Sequence, residues 1–198
     1  MKIARAVTRD GEDVVVEVQA DGVSEVLGAK GQDLVDVCVT PDRWQRRGRT
    51  WDVNAGDVRF VAPVAVPPSI RDFSAYADHT RHVLEALGRE LPASWFDEPV
   101  FYFSNPRAVI GPADPVLRPQ GSRRLDYEAE LAAVVGGFID ADTDDVYSAL
   151  AGFTLMNDWS ARDLAAREMK HSLGPAKGKD FATSLGPWVV TPDEFPTL

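Results

Sequence analysis

The sequence has little cysteine, little histidine and few basic residues, and each shortage excludes a class of protein. Its 198 residues contain one cysteine and three histidines. A single cysteine excludes a disulfide scaffold within the chain and is typical of a reducing compartment, so we expect a cytoplasmic protein. Lys and Arg number 21 against 31 Asp and Glu, a formal net charge of −10. Because nucleic-acid binding requires a basic surface, we expect no nucleic-acid partner.

Long hydrophobic runs are also missing from the sequence. No apolar stretch approaches the ~20 residues that a membrane-spanning helix needs, and residues 1–5 lack the apolar core of a signal peptide. We therefore expect no membrane partner. Apolar residues still make up 44% of the chain and charged residues 26%, which is typical of a globular protein that buries a core.

The segment Leu125–Gly136 alternates acidic and apolar residues, as a β-strand does. In a strand, Asp126, Glu128 and Glu130 would share one face, with successive members ~7 Å apart. Two carboxylates at that separation repel by roughly 2 kcal/mol at an effective dielectric near 20. A solvated strand face tolerates this repulsion, and for an isolated acid pair that is the usual explanation. In a cleft, one acid must be protonated or a cation must bind.

A later segment favours the interpretation that these acids lie in a cleft. Residues 152–163 form an apolar run of the buried kind and deliver Asp158 near its end. Carboxylate oxygens that converge from separate elements suit Mg²⁺, Mn²⁺ or Ca²⁺ better than Zn²⁺. We therefore expect a divalent cation as cofactor, with Mg²⁺ ahead of the other two ions.

Four motifs together resemble the fumarylacetoacetate hydrolase family. They are Glu128-x-Glu130, the MNDWSARD sequence of Met156–Asp163, the GKDF sequence of Gly178–Phe181 and the LGPW sequence of Leu185–Trp188. The resemblance implies an α+β, β-rich fold similar to the family's mixed β-roll, preceded by a small N-terminal β unit. It also implies a metal-dependent enzyme that acts on a small-molecule 1,3-diketo acid, usually as a homodimer.

The resemblance implies roles for individual residues. Four acids match the family's metal ligands: Asp72, Glu128, Glu130 and Asp158. Other residues match the general base, the active-site lysine, an arginine near metal and substrate, and two substrate contacts: His79, Lys179, Arg162, Tyr102 and Thr183. Local explanations compete with several of these roles. Asp72 could cap a helix, His79 could pack at the border of an apolar helix face, and Lys179 could be a solvated loop residue.

These residues predict a hydrolase that cleaves a C–C bond in a fumarylacetoacetate- or acylpyruvate-type substrate. His79 would deprotonate water, Lys179 would stabilise the developing oxyanion, and the cation would stabilise the departing enolate. One alternative is a decarboxylase, isomerase or hydratase of a related 2-oxo acid, which needs the enolate but no attacking water. Another is a non-catalytic subunit that binds a metal or ligand.

Prolines at 63, 67 and 68 mark a boundary between a small β-rich domain, residues 1–65, and a catalytic domain, residues 66–198. In the first domain we expect an antiparallel meander with turns at Asp10-Gly11 and Asp21-Gly22. The pattern at 32–39 fits either a short helix or a strand, and Cys38 within it is expected to be a buried structural thiol. The basic cluster of Arg43, Arg46, Arg47 and Arg49 is expected in a solvated loop, with an anion-binding or oligomer contact as the alternative.

In the second domain, periodicity predicts a helix from Asp72 to about Gly88 and a short helix over 144–151. Short strands and loops are expected over 91–120. A further helix is expected to begin at Ser160, followed by a loop over 173–179.

The sequence departs from the long hydrolases at substrate-side positions, where it has Ser74, Ala165 and Met169, so the substrate's identity stays open. It also ends at Leu198, where the family's domain continues through further strands. We therefore expect strand edges without partners.

Overall fold

The computed structural model describes residues 1–140, 142–171 and 174–196, with residues 46 and 47 described by their backbone alone. The strand-rich α+β class expected from the sequence is confirmed. In chain order the elements are β1 Lys2–Thr8, β2 Asp13–Gln19, β3 Gly22–Leu27, α1 Leu34–Val39, β4 Gln45–Trp51, β5 Val58–Phe60, β6 Ile70–Phe73, α2 Ala77–Ala86, β7 Phe101–Ser104, β8 Val109–Ile110, β9 Leu125–Asp126, β10 Ala129–Val135, β11 Leu150–Asp158, β12 Ser160–Ala161, α3 Arg162–Glu168, β13 Thr183–Leu185 and β14 Trp188–Val190.

One mixed ten-stranded sheet organises the molecule. Its strands run in the order β4-β3-β2-β1-β14-β11-β13-β8, with β10 paired to β11 and β5 paired to β1. The β6–β7 and β9–β12 pairs form two small separate sheets. Because β1 pairs with β14, the sheet crosses the expected boundary at residue 65. The division into two domains stays a prediction.

The first three strands form the antiparallel meander that the turn signals predict. Gly11 supports the first turn with a φ of 87°, a conformation that glycine adopts without steric cost. Alternate residues of this meander point to opposite faces of the sheet. One face packs a core on α1, and the other packs a core around Val58 and Trp188. The alternation of period 2 therefore gives the sheet two apolar faces.

The ambiguous pattern at 32–39 forms a helix, α1. Cys38 lies on this helix and is buried, as expected. The expectation of a loop at the basic cluster is wrong, because β4 pairs with β3 there. Arg49 binds the carboxylates of Glu12 and Glu25. The side chains of Arg46 and Arg47 lie outside the described residues.

The acidic segment is not one continuous strand. It is divided between β9 and β10, which belong to different sheets, and residues 127 and 128 lie in neither strand. Long-range hydrogen bonds cause the break: Glu128 N donates to Asn157 Oδ1 at 3.0 Å, and Asp158 N donates to Glu128 O at 3.0 Å. Asp126 and Glu130 therefore do not share a face of one strand with Glu128.

Three predicted helices have different bounds in the structure. The predicted helix at Asp72 begins at Ala77 instead, because Asp72 belongs to β6 and pairs with Tyr102 of β7. The helix expected over 144–151 is a 3₁₀ turn, Val146–Ala149, capped by Asp145. The helix expected at Ser160 begins at Arg162, because Ser160 belongs to β12. Leu173 of the expected loop lies outside the described residues.

Strand β10 leaves an apolar face exposed. Leu131 and its partner Leu155 on β11 are each 66% exposed, and Val135 is 55% exposed. The same strand has a partner on one side only within the described sheet. Strand β10 is therefore an edge strand of the described sheet.

Candidate active site

Six of the predicted site residues meet at one end of β11. Asp158 ends this strand and is fully buried. Tyr102 and Asp72 lie opposite each other on the β6–β7 pair. The Tyr102 hydroxyl donates a hydrogen bond to Asp158 Oδ2 and lies 3.5 Å from Asp72 Oδ2. The small β6–β7 sheet therefore places the carboxylate of Asp72 and the phenol of Tyr102 at the end of β11.

Lys179 lies between the carboxylates of Glu128 and Asp158. Its Nζ donates to Asp158 Oδ2 at 2.6 Å, to the Asp158 carbonyl oxygen at 3.4 Å and to Glu128 Oε2. The lysine is 6% exposed. A buried ammonium of this kind is stable only because it is paired and hydrogen-bonded.

Arg162 holds Glu128 from the outer side. Its Nη1 donates to Glu128 Oε1, and its Nε donates to Asp126 Oδ2 at 3.0 Å. Each oxygen of Glu128 thus binds a different cation, Arg162 on one side and Lys179 on the other.

The acids at this site repel one another. Burial, followed by the charges of Asp158 and Glu130, raises the pKa of Asp72 to about 7. Burial and the charge of Glu128 raise the pKa of Glu130 above its usual value. Burial acts in the same direction at Glu128, but the contacts with Lys179 and Arg162 outweigh it and lower that pKa. The site therefore contains more negative charge than its own cations offset.

One carboxylate oxygen confirms this imbalance. Asp158 Oδ1 is buried and has no hydrogen-bond partner among the described residues, and such an atom is costly unless a further group binds it. Across residues 1–140, 142–171 and 174–196, no three His, Cys, Asp or Glu side chains are already spaced to hold a metal ion. The chemistry of the donors nevertheless fits a hard divalent cation, because all four are carboxylates and together they carry more charge than Lys179 and Arg162 offset.

The remaining predicted residues lie at the margin of the site. Thr183 is 1% exposed, pairs with Asp158 across β11 and β13, and contacts Ser104. Glu130 interacts with Glu128 and Asp158 through charge. His79 lies on the exposed helix α2, close enough for its charge to favour the ionised form of Glu130. The structure therefore brings His79 near the acids without burying it among them.

Two residues of the site had no assigned role from the sequence. Asn157 anchors the backbone of Glu128, and Asp126 binds the Nε of Arg162. Both lie within segments that the sequence already marks, beside Asp158 and Glu128. Their partners are distant along the chain, so only proximity to the motifs could have drawn attention to them.

A family comparison agrees with this geometry. The family model of the C-terminal domain of fumarylacetoacetate hydrolase matches residues 69–198. The chain belongs to the fumarylacetoacetate hydrolase family. Among curated proteins, it is 32% identical over 162 residues to the fumarylacetoacetase of Oryza sativa subsp. japonica, covering 71% of this chain and 37% of the rice protein. It is 33% identical over 156 residues to the fumarylacetoacetase of Rattus norvegicus, covering 67% and 37% of the two chains.

Solved structures of the family resemble the whole chain. A 5-carboxymethyl-2-hydroxymuconate delta-isomerase from Mycobacterium smegmatis matches with a TM-score of 0.69 and 26% identity, covering 97% of this chain and 67% of the isomerase. A 2-keto-3-deoxy-D-arabinonate dehydratase complexed with magnesium and 2,5-dioxopentanoate matches in fold, with a TM-score of 0.67, 22% identity and coverage of 100% and 68%. The chain thus spans little more than a third of those fumarylacetoacetases and about two thirds of those solved chains.

Proteins similar to this chain differ in reaction class, since fumarylacetoacetases and a delta-isomerase are among them. No helix within the described ranges combines the length and apolar character needed to cross a membrane.

Proposed function

We propose that this chain carries the site of a metal-dependent hydrolase that cleaves a C–C bond in a fumarylacetoacetate- or acylpyruvate-type 1,3-diketo acid. One observation carries the proposal: acidic side chains converge on a single buried lysine, and Asp158 Oδ1 has no hydrogen-bond partner among the described residues. A site of this composition is suited to holding a cation and an anionic, oxygen-rich substrate together.

The ligands we propose for the cation are Asp72, Glu128, Glu130 and Asp158. When bound, a divalent cation, with Mg²⁺ as first choice, would offset their repulsion and stabilise an enolate oxygen of the substrate. The raised pKa values of Asp72 and Glu130 support this assignment. They mean that ionisation of either acid costs free energy, and a nearby cation would remove that cost.

The chain's own cations and donors supply the rest of the chemistry. Lys179 donates hydrogen bonds through a positive charge, so it can stabilise a substrate oxygen on which negative charge develops. Arg162 fixes Glu128 and is available to bind the substrate near the same carboxylate. The hydroxyl of Tyr102 lies in the same space, and Thr183 lies opposite Asp158 on the adjacent strand β13.

His79 is the group that we propose as general base. It would take a proton from water so that hydroxide attacks the carbonyl carbon beside the bond that breaks. Its exposed position on α2 leaves it open to solvent water. The electrostatic link to Glu130 supports a position at the rim of the acidic site.

A second candidate function is isomerase, decarboxylase or hydratase chemistry on a related 2-oxo acid. These reactions proceed through the same enolate and need no activated water, so they do not depend on a general base that activates water. The delta-isomerase among the solved relatives supports the same alternative. A subunit that binds metal or ligand without catalysis is the remaining alternative.

A homodimer in the cytoplasm is a further part of the proposal. The exposed apolar residues Leu131, Val135 and Leu155 on β10 and β11 support an association through that face. Light scattering on the purified chain measures the mass directly, and a monomer at all concentrations would exclude the homodimer.

The proposed activity is tested by a substrate screen. Purified protein is incubated with a series of acylpyruvates and with fumarylacetoacetate, in Mg²⁺, in Mn²⁺ and in EDTA, and both cleavage products are quantified by chromatography. We expect metal-dependent release of pyruvate or acetoacetate with the matching acid. Isomerised, decarboxylated or hydrated 2-oxo acids without the two cleavage products would instead establish the second candidate, and no turnover of any substrate would support the non-catalytic one.

A further inference from the structure

The loop that carries Lys179 is held by a single carboxylate. Residues 174–179 belong to no helix or strand, yet Lys179 has a defined position among the acids. Glu168 Oε2 accepts hydrogen bonds from Ala176 N at 3.1 Å and Gly178 N at 2.9 Å. Its Oε1 accepts one from Lys177 N at 2.8 Å. Three successive backbone amides immediately before Lys179 therefore converge on Glu168.

The same loop packs closely on helix α3. Gly178 lies so near the helix that a Cβ atom at this position would be 2.7 Å from Ala165 N. Its carbonyl oxygen accepts a hydrogen bond from Ala161 N at 2.8 Å. A side chain at 178 would push the loop away, so glycine is required for the close approach. The loop is thus fixed to Ala165 and Glu168 of α3 and to Ala161 just before the helix.

Helix α3 connects the two cations that bind Glu128. Its first residue is Arg162, which binds Oε1 of Glu128, and its last residue is Glu168, which holds the Lys179 loop. Lys179 in turn binds Oε2 of Glu128. One short helix therefore sets the positions of both cations relative to the same carboxylate.

We propose that Glu168 is a positioning residue, which holds the 176–178 backbone so that the ammonium of Lys179 is presented to the carboxylates of the site. The expected effect of this positioning on turnover rests on the proposed function, because it assumes that Lys179 stabilises charge on a substrate. The expected effect on the position of Lys179 does not depend on any substrate. Within the described part of the chain, the hydrogen bonds of Glu168 go to backbone amides of the loop and not to the acids of the site, so it acts through the loop.

A simpler role for Glu168 is an ion pair with Lys177. Those two groups are 3.7 Å apart, but the side chain of Lys177 is 85% exposed. Exposed pairs of this kind contribute little, because solvent screens them. The Lys177→Met variant removes this pair and leaves the backbone amides in place, so it separates the two roles.

The experiment measures the accessibility of individual lysines. Wild type, Glu168→Ala, Glu168→Gln, Lys177→Met and Asp145→Ala are treated with a limiting amine-acylating reagent, and the modification rates of Lys179 and exposed Lys30 are followed by peptide mass spectrometry. Asp145 is the matched control, because its carboxylate also accepts backbone amides, from Tyr147 and Ser148, in a turn that carries no site residue. Thermal melts of each variant check that the chain remains folded.

In Glu168→Ala, we expect the modification rate of Lys179, normalised to Lys30, to rise at least about tenfold, because each hydrogen bond to a charged group is worth a factor of that order. Glu168→Gln keeps one acceptor oxygen and should give an intermediate rate, and it carries the test if the alanine variant does not fold. Lys177→Met and Asp145→Ala should retain the wild-type rate. A wild-type rate in both Glu168 variants, or an equal rise in Asp145→Ala, overturns the proposal.

Kinetics then test the consequence for turnover. If the chain cleaves a diketo acid, kcat of Glu168→Ala should fall at least about tenfold while KM stays within roughly threefold, as expected when a group that acts in the transition state loses its position. An unchanged kcat with a lowered melting temperature would reduce Glu168 to a purely structural role. If no diketo acid is cleaved, the proposed function fails, and the lysine-labelling result still decides the positioning of Lys179.

Discussion

The Nζ atom of Lys179 lies 2.6 Å from Oδ2 of Asp158, and both side chains are buried. Removal of one partner from a buried ion pair leaves an uncompensated charge, which typically costs about 3–5 kcal/mol. We therefore expect Lys179→Met to lower the free energy of unfolding by an amount of that order in EDTA. Denaturant titration followed by circular dichroism measures the loss.

Saturating Mg²⁺ should recover part of the stability of Lys179→Met, because a bound divalent cation would offset the same carboxylates. At one hundred times its Kd, a ligand stabilises the folded state by about 2.7 kcal/mol, which corresponds to roughly 5–10 °C in Tm for a chain of this size. Lys177→Met is the control, since its side chain is 85% exposed. Equal stability of the two variants in EDTA would contradict the buried pair.

His79 separates the two candidate reactions. Loss of a general base costs about 10²- to 10⁴-fold in rate, so we expect His79→Ala to lower diketo-acid cleavage by at least ~100-fold. Binding of Mg²⁺ or Mn²⁺, measured by calorimetry, should change little. An isomerase or decarboxylase that works through an enolate alone would lose far less activity.

His82 provides the matched control for this prediction, because it lies three residues further along the same exposed helix. His82→Ala should retain wild-type kinetics. Loss of metal binding in His79→Ala would instead identify this histidine as a ligand, and equal losses in both variants would point to damage of α2.

The hydrogen bonds of Glu168 should make the protein more sensitive to acid. Burial raises the pKa of this carboxyl, but three backbone amides outweigh it, and the pKa lies below its ordinary value of 4.5. The folded chain therefore binds this proton less readily than the unfolded chain. The ionised carboxylate of Glu168 therefore adds to the free energy of unfolding. This stabilisation is fully present above the ordinary glutamate pKa and is lost as pH falls through the folded-state pKa.

We expect the stability difference between wild type and Glu168→Gln to be largest near neutral pH and to shrink as pH falls below 4.5. Urea unfolding at a series of pH values measures it. A difference that stays constant from neutral pH to pH 3 would show that the ionised carboxylate has no special role.

The sequence predicts the elements that depend on neighbouring residues, and it does not predict those that depend on residues distant along the chain. The Asp-Gly turns predict the β1–β3 meander, because each turn signal is contained within a few residues. The break between β9 and β10 could not be predicted, since alternation continues through it. It is caused by Asn157, which lies 29 residues from Glu128.

Helix α2 shows the same limit. Its apolar periodicity extends back to Phe73, but pairing of β6 with β7 takes Asp72 and Phe73 into a strand. The pairing partners lie about 30 residues later, beyond the reach of any local pattern. The meeting of Asp72 with Asp158 was expected from the family resemblance alone, and the role of Glu168 was not expected at all.

Gly152 provides a test of the backbone geometry that supports the site. Its φ is 149°, and a Cβ atom there would overlap the carbonyl oxygen of Val190 on β14. We expect Gly152→Ala to lower the free energy of unfolding by at least ~2 kcal/mol, from backbone strain and displacement of β14. Thermal or urea unfolding measures the loss.

Gly11→Ala is the control for this substitution. Gly11 also has a positive φ, of 87°, but no atom lies near the position of its Cβ. The cost there should be limited to the conformational term of about 1–2 kcal/mol. If Gly152→Ala lowers the free energy of unfolding by less than Gly11→Ala does, β14 can shift without destabilising the fold.

The pairing of Ala4 on β1 with Trp188 on β14 also sets an order of events during synthesis. A ribosome adds about 5–20 residues per second, so β1 waits roughly ten to forty seconds for the strand that pairs with residues 2–4 on its second edge. Meanwhile β1 can pair with β2 and β5, which leave the ribosome much earlier. Asp158, on the strand beyond β14, is therefore placed against Lys179 only when nearly all of this chain has been made.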